Sequence, residues 1–354
     1  AQGRALAWGD AWRVAKLDVT ASVAPGNAAA GAVPLSARPV TIVVTAADVA
    51  APVGAFPVVR ANVSGTLAQH AGTFAVKGEG IDADARVSGG LAEAGRADGL
   101  RGLAWSGTVA TLDNRGVIPF RLEAPAAVEV AAGRVRVGAT RIAIVDGHAD
   151  IGGVALDGGR LTSSGVFTGV PFNALVRLTG RLPPFTSTLV VGGDWSLAAA
   201  PRLNGAINLR RERGDWYGTD AAELDAANLA LGISELSVSA RFVDDALTGT
   251  ARFRSARAGN ADALVKLAAG PEPGRIATGA ALDATLTADL ASLKPLQPWL
   301  GTAAVVDGRA RVELTARGTL GEPVFGGTLA GDALRFDLPQ YGVHLRDGRL
   351  RARV

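Results

Sequence analysis

The feature that most constrains this chain is an alternation of apolar and polar residues with period two. In Leu282-Asp-Ala-Thr-Leu-Thr-Ala-Asp-Leu290 every even-numbered residue is apolar and every odd-numbered one polar. Ala310-Arg-Val-Glu-Leu-Thr-Ala-Arg317, Leu236-Ser-Val-Ser-Ala-Arg-Phe242 and Leu247-Thr-Gly-Thr-Ala-Arg-Phe253 repeat it, and Leu350, Ala352 and Val354 interleave with Arg349, Arg351 and Arg353. Successive side chains of a strand point to opposite faces, so each run carries one apolar and one polar face. A parallel sheet covered on both sides would instead show unbroken apolar runs. The pattern predicts an all-β chain, built as a one-sided and antiparallel-rich sheet.

The breaks between runs carry turn chemistry. Asp-Gly occurs at 98–99, 146–147, 157–158, 307–308 and 347–348. Glycine accepts the positive φ of a tight hairpin and Asp tolerates it better than most residues. Val343 to Val354 therefore reads as one hairpin about Asp347-Gly348, while Gly26-Asn27, Pro183-Pro184 and Pro271-Glu-Pro-Gly274 mark longer loops. Turn signals at this spacing imply roughly 20 strands. Helical signals are few. Asp289 to Leu300 has Leu290, Leu293 and Leu296 at helical spacing, but Pro295 and Pro298 limit it to a turn or two. Gly169 to Val176 is a second short turn, and Asp220 to Leu231 reads as strand because Leu229, Leu231 and Ile233 alternate.

Composition decides what such a sheet can enclose. The 354 residues include 69 alanines and 46 glycines but only 18 aromatics. An ordinary many-stranded sandwich needs larger residues in its core. The unit instead resembles a hairpin repeated along an axis. At about 4.8 Å between strands, some 20 strands in one sheet would run on the order of 100 Å. A sheet of that length must curl to cover its apolar face, and if it does not close it leaves an apolar trough. Leu236, Val238, Phe242, Phe253, Leu282, Leu286, Val312, Leu314 and Leu350 are the candidate lining, and Trp195 shares a face with Leu189, Val191 and Leu197. The periodicity alone favours reading the same residues as a plain closed core, with Trp195 at least as readily filling the curl of the sheet as touching a lipid.

Other chemistries find little support. Formal net charge is +3, and the arginines are scattered from Arg4 to Arg353 rather than gathered on one face, which argues against nucleic-acid binding. Zero cysteines exclude disulfides, zinc–thiolate and iron–sulfur sites and cysteine nucleophiles. His70, His148 and His344 are far apart in sequence and read as surface or hairpin positions, not a metal site. The Asp-Gly pairs lack the regular nonapeptide of calcium-binding repeats, and residues 152–159 have no following Lys-Ser/Thr and no helix to make a phosphate loop. Asp244-Asp245 reads as solvated loop charge. No catalytic constellation stands out, so neither an enzyme nor a cofactor is expected; a polysaccharide lyase on a parallel β-helix would want larger polar clusters and stacked ladders. The uncharged run Val19 to Ala37 is long enough to span a membrane, but its prolines, glycines and alanines would insert poorly. No signal peptide is visible, and any anchor is expected outside this piece.

A set of ordered segments resembles the TamB proteins of the AsmA-like superfamily. Thr285 to Val354 look like the start of the TamB C-terminal region. The carrying residues are Asp289 to Leu300, Asp307-Gly-Arg-Ala-Arg-Val312, Gly318-Thr-Leu-Gly-Glu-Pro-Val-Phe-Gly-Gly-Thr-Leu-Ala-Gly331 and Leu338-Pro-Gln-Tyr-Gly-Val343 before Asp347-Gly-Arg-Leu350. Upstream, Gly65-Thr-Leu-Ala-Gln-His70, Trp105-Ser-Gly107, Ser164 to Val170, Gly193-Asp-Trp195 and Leu209 to Asp215 fit the same pattern. The resemblance implies a β-taco, an elongated U-shaped sheet with an apolar inner groove and one or two short helical turns. It would run as a segment over 1–288, a short helical break at 289–300 and a continuation over 301–354. It implies a periplasmic segment of an inner-membrane-anchored protein in a Gram-negative bacterium. That protein would conduct phospholipid to the outer membrane by its acyl chains, and would act in outer-membrane assembly with the barrel protein TamA. The anchor and the TamA-docking end would lie outside this piece. The alternative is a structural or chaperone-like module that offers exposed strand edges to outer-membrane proteins.

Overall fold

The computed structural model describes residues 2–8, 12–23, 37–51, 54–93, 103–177, 186–217, 230–294, 305–338 and 343–353. Among them are 24 strands and one short helix. The all-β, antiparallel organisation expected from the alternation is what the structure shows. By its internal contacts the chain divides into two units, Ala1–Gly165 and Val166–Val354.

The first unit is a meander. Its strands are β1 (Gln2–Trp8), β2 (Trp12–Val23), β3 (Pro39–Ala51), β4 (Gly54–Thr66), β5 (His70–Gly78), β6 (Ile81–Glu93) and β7 (Leu103–Asn114), each antiparallel to the next. The pattern then splits. β8 (Phe120–Leu122) and β9 (Ala126–Ala131) lie end to end along β7, and β11 (Thr140–Ile144) and β10 (Arg134–Val137) lie along them in turn. β12 (Gly147–Asp157) spans both, and β13 (Arg160–Pro171) follows. The interruption falls at Pro125, which has no N–H to give a ladder. Side-chain and turn bonds hold it together: Gly138 N–H donates to Ala127 O at 2.8 Å, and Thr140 Oγ1 donates to Ala124 O at 2.8 Å.

The second unit begins at Val166, within β13, which leads into α1 (Phe172–Arg177), the short turn expected at Gly169 to Val176. A small pair, β14 (Thr186–Ser187) with β17 (Trp216–Tyr217), stands apart from the main ladder. That ladder runs β15 (Val190–Ala199), β16 (Leu203–Arg213), β18 (Ile233–Val243), β19 (Ala246–Ser255), β20 (Gly259–Leu267), β21 (Ala281–Leu290), β22 (Val305–Thr319), β23 (Pro323–Leu338) and β24 (Val343–Arg353). Every neighbouring pair is antiparallel. β21 pairs directly with β22, so the ladder continues across 289–300; of that expected helical break, 295–300 lie outside the described residues, as do 220–229 of the expected strand at 220–231. So do Asp98-Gly99, Gly26-Asn27 and Pro183-Pro184.

Two expectations from turn chemistry are corrected. Val343 to Val354 is not a hairpin. Val343–Arg353 is a single strand whose two halves both pair with β23, Leu345 opposite Phe336 and Leu350 opposite Gly331. Asp347, at φ 53°, sits at a bulge between them. Asp307-Gly308 is likewise a bulge inside β22, and Ala333 at φ 51° marks one in β23. The same left-handed residue that closes a hairpin also supplies the extra residue of a bulge.

The second correction concerns Asp244-Asp245. They form the two-residue turn of the β18–β19 hairpin, at φ 50° and 71°. Positive φ at both central residues matches the right-handed twist of the flanking strands. Asp245 is not a solvated charge: its side chain is only 6% exposed. It accepts the Leu203 N–H at 2.6 Å and the Gly274 N–H at 3.2 Å, and it pairs with Arg202 at 3.2 Å. Arg202 also donates to Gly270 O at 3.3 Å. One carboxylate thus ties the turn after β15, the turn after β18 and the loop after β20. The Leu203 N–H first, then Gly274 and Arg202, hold the Asp245 carboxyl below its ordinary value. Asp337 is held low by Arg335 and then His344. A carboxylate depressed in the folded state stabilises the fold above the unfolded value of about 3.9, and that contribution is lost as pH falls through the folded value. Urea midpoints should fall steeply below about pH 4. Asp245→Asn should lower the midpoint at pH 7 and flatten the acid dependence.

Candidate functional site

Residues directly opposite in an antiparallel ladder project to the same face. The register therefore lays out both faces of the second unit. One row runs Gly193, Leu209, Val238, Ala251, Ala263, Leu286, Leu314 and Gly327 from β15 to β23. The row beside it runs Leu236, Phe253, Ala261, Ala288, Val312, Leu329 and Ala352 from β18 to β24. A third runs Leu197, Gly205, Phe242, Leu247, Leu267, Leu282 and Gly318. Leu350 continues a fourth, through Gly331 and Ala310 to Leu290. All nine candidate residues from the sequence therefore lie on one continuous apolar face, together with Trp195 opposite Ile207.

The opposite face is polar in the same register. Asp194, Asn208 and Ser239 form a hydrogen-bonded ladder, Asn208 Nδ2 donating to Asp194 at 2.9 Å and Ser239 Oγ donating to Asn208 at 2.7 Å. Arg311 pairs with Asp289 directly opposite at 2.8 Å, and Arg254 with Asp262 at 2.8 Å. These pairs are exposed or half-exposed and contribute little to stability. They mark which face water occupies.

Exposure and packing separate the nine residues into three groups. Leu286 lies in mid-strand with five ladder strands on one side and three on the other, yet it is 36% exposed, and Val238 is 44% exposed. Leu350 and, on the same face, Ile207 and Phe325 are also exposed. Phe242, Leu282, Val312 and Leu314 are half-buried. Leu236 and Phe253 are different: they pack on the buried cluster Leu231, Ile233 and Ala258 together with Trp216. Trp216 stacks on Phe253 at 6.1 Å between ring centroids, and Phe172 of α1 lies against Trp216 at 5.7 Å. Of the residues grouped with Trp195, Leu189 and Val191 are fully buried. The apolar face is covered at that end and open beyond it.

The first unit has the same construction. Val19, Val44, Ala61, Phe74, Ala85 and Leu112 form one apolar row across β2 to β7. Val40, Gly65, His70, Gly89, Gly107 and Val128 form another. His70 is thus on the apolar face at the start of a strand, half-buried and bonded on both ring nitrogens. Its Nε2 accepts the Trp105 indole N–H at 2.8 Å, and its Nδ1 lies 3.0 Å from Thr66 O. An acceptor at Nε2 leaves the proton on Nδ1, which donates to Thr66. The indole lies over Gly89 and Gly107, where an added Cβ would come within 2.6 Å and 2.5 Å of it. Sequence reasoning did not connect His70 to Trp105; the glycines at 89 and 107 were the available signal. His148 falls just after the Asp146-Gly147 turn, and His344 bonds Asp337 at 3.1 Å. Among the described residues no group of three or more His, Asp or Glu is arranged to hold a metal ion.

Comparison of the chain with protein-family models, with curated proteins and with solved structures finds no match.

Two glycines of the apolar face test its geometry. A Cβ on Gly249 would meet nothing nearer than 3.9 Å, so Gly249→Ala should raise stability by about 0.4–1 kcal/mol through the unfolded chain. Gly327 has φ +142°, and a Cβ there would lie 2.0 Å from Glu313 O. Gly327→Ala should cost about 1 kcal/mol or more, read from urea midpoints.

Proposed function

We propose that this chain is a segment of a TamB-like, periplasm-spanning conduit that moves phospholipid between inner and outer membranes along the apolar face. In this reading the parent protein is anchored in the inner membrane of a Gram-negative bacterium and meets the barrel partner TamA through parts beyond the segment. The observation that carries the reading is the exposure of Leu286. A residue in the middle of a ten-residue strand in the interior of a ladder should be buried if its face were a closed core. At 36% exposed it is open to a ligand. The ordered resemblance to TamB segments supplies the identity of that ligand.

The physics suits an acyl chain. Each CH₂ gains about 0.8 kcal/mol on leaving water, so a lipid in transit must keep its whole tail covered. An apolar face continuous from β15 to β23 provides similar contacts at each strand, without one deep well to trap the lipid. The charged headgroup stays in water at the rim and avoids the cost of burial.

The test is to place a cation in the path. Leu286→Arg and Leu314→Arg face each other across β21 and β22, so each alone blocks the same row. On an open face the guanidinium reaches solvent along its own aliphatic stem, and the variants should keep β-type circular dichroism. Phospholipid transfer between vesicles by the parent protein should fall by an order of magnitude or more. Loss of fold in both variants would identify a closed core instead, because a buried unpaired charge is strongly destabilising. Folded variants with undiminished transfer would remove the conduit. Photo-crosslinkers at Leu286 and Val312 should capture labelled phospholipid, whereas peptide adducts alone would favour the strand-edge chaperone.

A further inference from the structure

The first unit holds a polar pair on its apolar face. Gly65, His70, Gly89 and Gly107 lie opposite one another in turn on β4, β5, β6 and β7. Trp105 is the next residue of β7 on that face, opposite Leu91 and Val130. Its indole leans back over Gly107 and Gly89 to reach the imidazole, with 6.4 Å between ring centroids. Glycine inside a strand weakens it and marks a place of close approach. Here the indole is what approaches, since an added Cβ at either glycine would come within 2.6 Å of it.

The polar atoms of the pair are satisfied within it and by one turn. The Trp105 N–H donates to His70 Nε2 at 2.8 Å, and Nδ1 donates its proton to Thr66 O at 3.0 Å. Thr66 is itself fixed in the turn between β4 and β5, where its N–H donates to Gln69 O at 2.7 Å. A second proton can therefore enter the ring only at Nε2, on the lone pair that the indole occupies. Proton and indole compete for one site. Among the described residues the positions facing the ring are Gly65, Gly72, Gly89, Gly107 and Trp105, none of them charged or titratable. Glu93, at the end of β6, is the first charged position on this face.

We infer that His70 and Trp105 make the apolar face of the first unit respond to acid. With His70 neutral, the indole lies on its glycine floor, and the row from Val40 to Val128 offers an apolar ligand no charged group. With His70 protonated, Nε2–H and the indole N–H point at each other. The indole loses its acceptor and leaves the glycines, and a cation stands in the row. An apolar ligand then meets a charge and two unpaired donors, which are costly to cover. The inference rests on the proposed apolar ligand for its consequence, but not for its chemistry.

The test takes the whole chain from about pH 8 to about pH 5, the span over which an imidazole changes charge. Tryptophan emission should shift to the red on acidification as the indole enters water. Trp105→Phe should remove that shift, which identifies its source among the six tryptophans. His70→Gln keeps a side-chain acceptor but takes no proton, so its emission should stay at the neutral-pH position throughout. His148→Gln and His344→Gln should leave the response intact. Binding of the uncharged probe N-phenylnaphthylamine should weaken roughly threefold or more over the same span, and should lose that dependence in His70→Gln. A red shift that survives His70→Gln, or no shift that depends on Trp105, would overturn the pair as a sensor. If His70→Gln does not fold, the indole N–H resonance of Trp105 in the unaltered chain decides: it should move upfield on acidification, and an unmoved resonance would overturn the pair. Probe binding that stays flat while the emission responds would overturn its control of the face. Probe binding that follows His70, with no uptake of labelled phosphatidylethanolamine from vesicles at either pH, would uphold the pair and remove the lipid reading.

Discussion

Everything in this structure depends on register. In each ladder the backbone of one strand satisfies the next, and the side-chain period of two then sends alternate residues to opposite faces. A slip of one residue would turn every leucine of a strand to the polar side and every arginine to the apolar side. The observed register does the reverse at each step. Leu286 meets Leu314 and Ala263, and Asp289 meets Arg311. The apolar face is the sum of these pairings, and any site on it exists only because nine successive strands of the second unit agree.

The polar residues that would attract attention in a search for chemistry are mostly occupied in holding strand ends. Asp245 ties three connections, Asp215 caps the start of β18, and buried Asn114 accepts the Asp82 N–H at 3.0 Å while donating to Ile118 O at 2.8 Å. Turn backbones leave donors and acceptors that no ladder uses, and burying them unpaired is costly. A carboxylate or amide at the turn meets that need. This explains why Asp244-Asp245 reads as loop charge in the sequence and behaves as a structural staple in the fold.

Energetically the apolar faces are unusual for their exposure. A closed sandwich gains stability by burying both inner faces. Here Val238, Leu286, Phe325 and Leu350 forgo part of that gain, and among the described residues the fully buried large side chains are few, Leu189, Val170 and Val191. Cross-strand contacts between neighbouring apolar residues and the polar ladders opposite supply stability along the ladder. Ligand binding to such a face would add the burial that the fold by itself leaves unmade.

The sequence by itself determined the fold class, the face to which each residue of a clean alternating run belongs, and the short helical turn at 172–177, because period, propensity and proline act over a few residues. The nine candidate residues were legible as one face for the same reason. Three things were decided by tertiary structure. An Asp-Gly pair is equally suited to a hairpin and a bulge, so only the partner strand made Asp347-Gly348 a bulge. Trp105 found His70 because Gly89 and Gly107, on two different strands, cleared a space for the indole. And whether an apolar residue is covered depends on what packs beside it: Leu236 and Val238 are indistinguishable in pattern, but Leu236 packs on the buried cluster of Leu231, Ile233 and Ala258, while Val238 is 44% exposed.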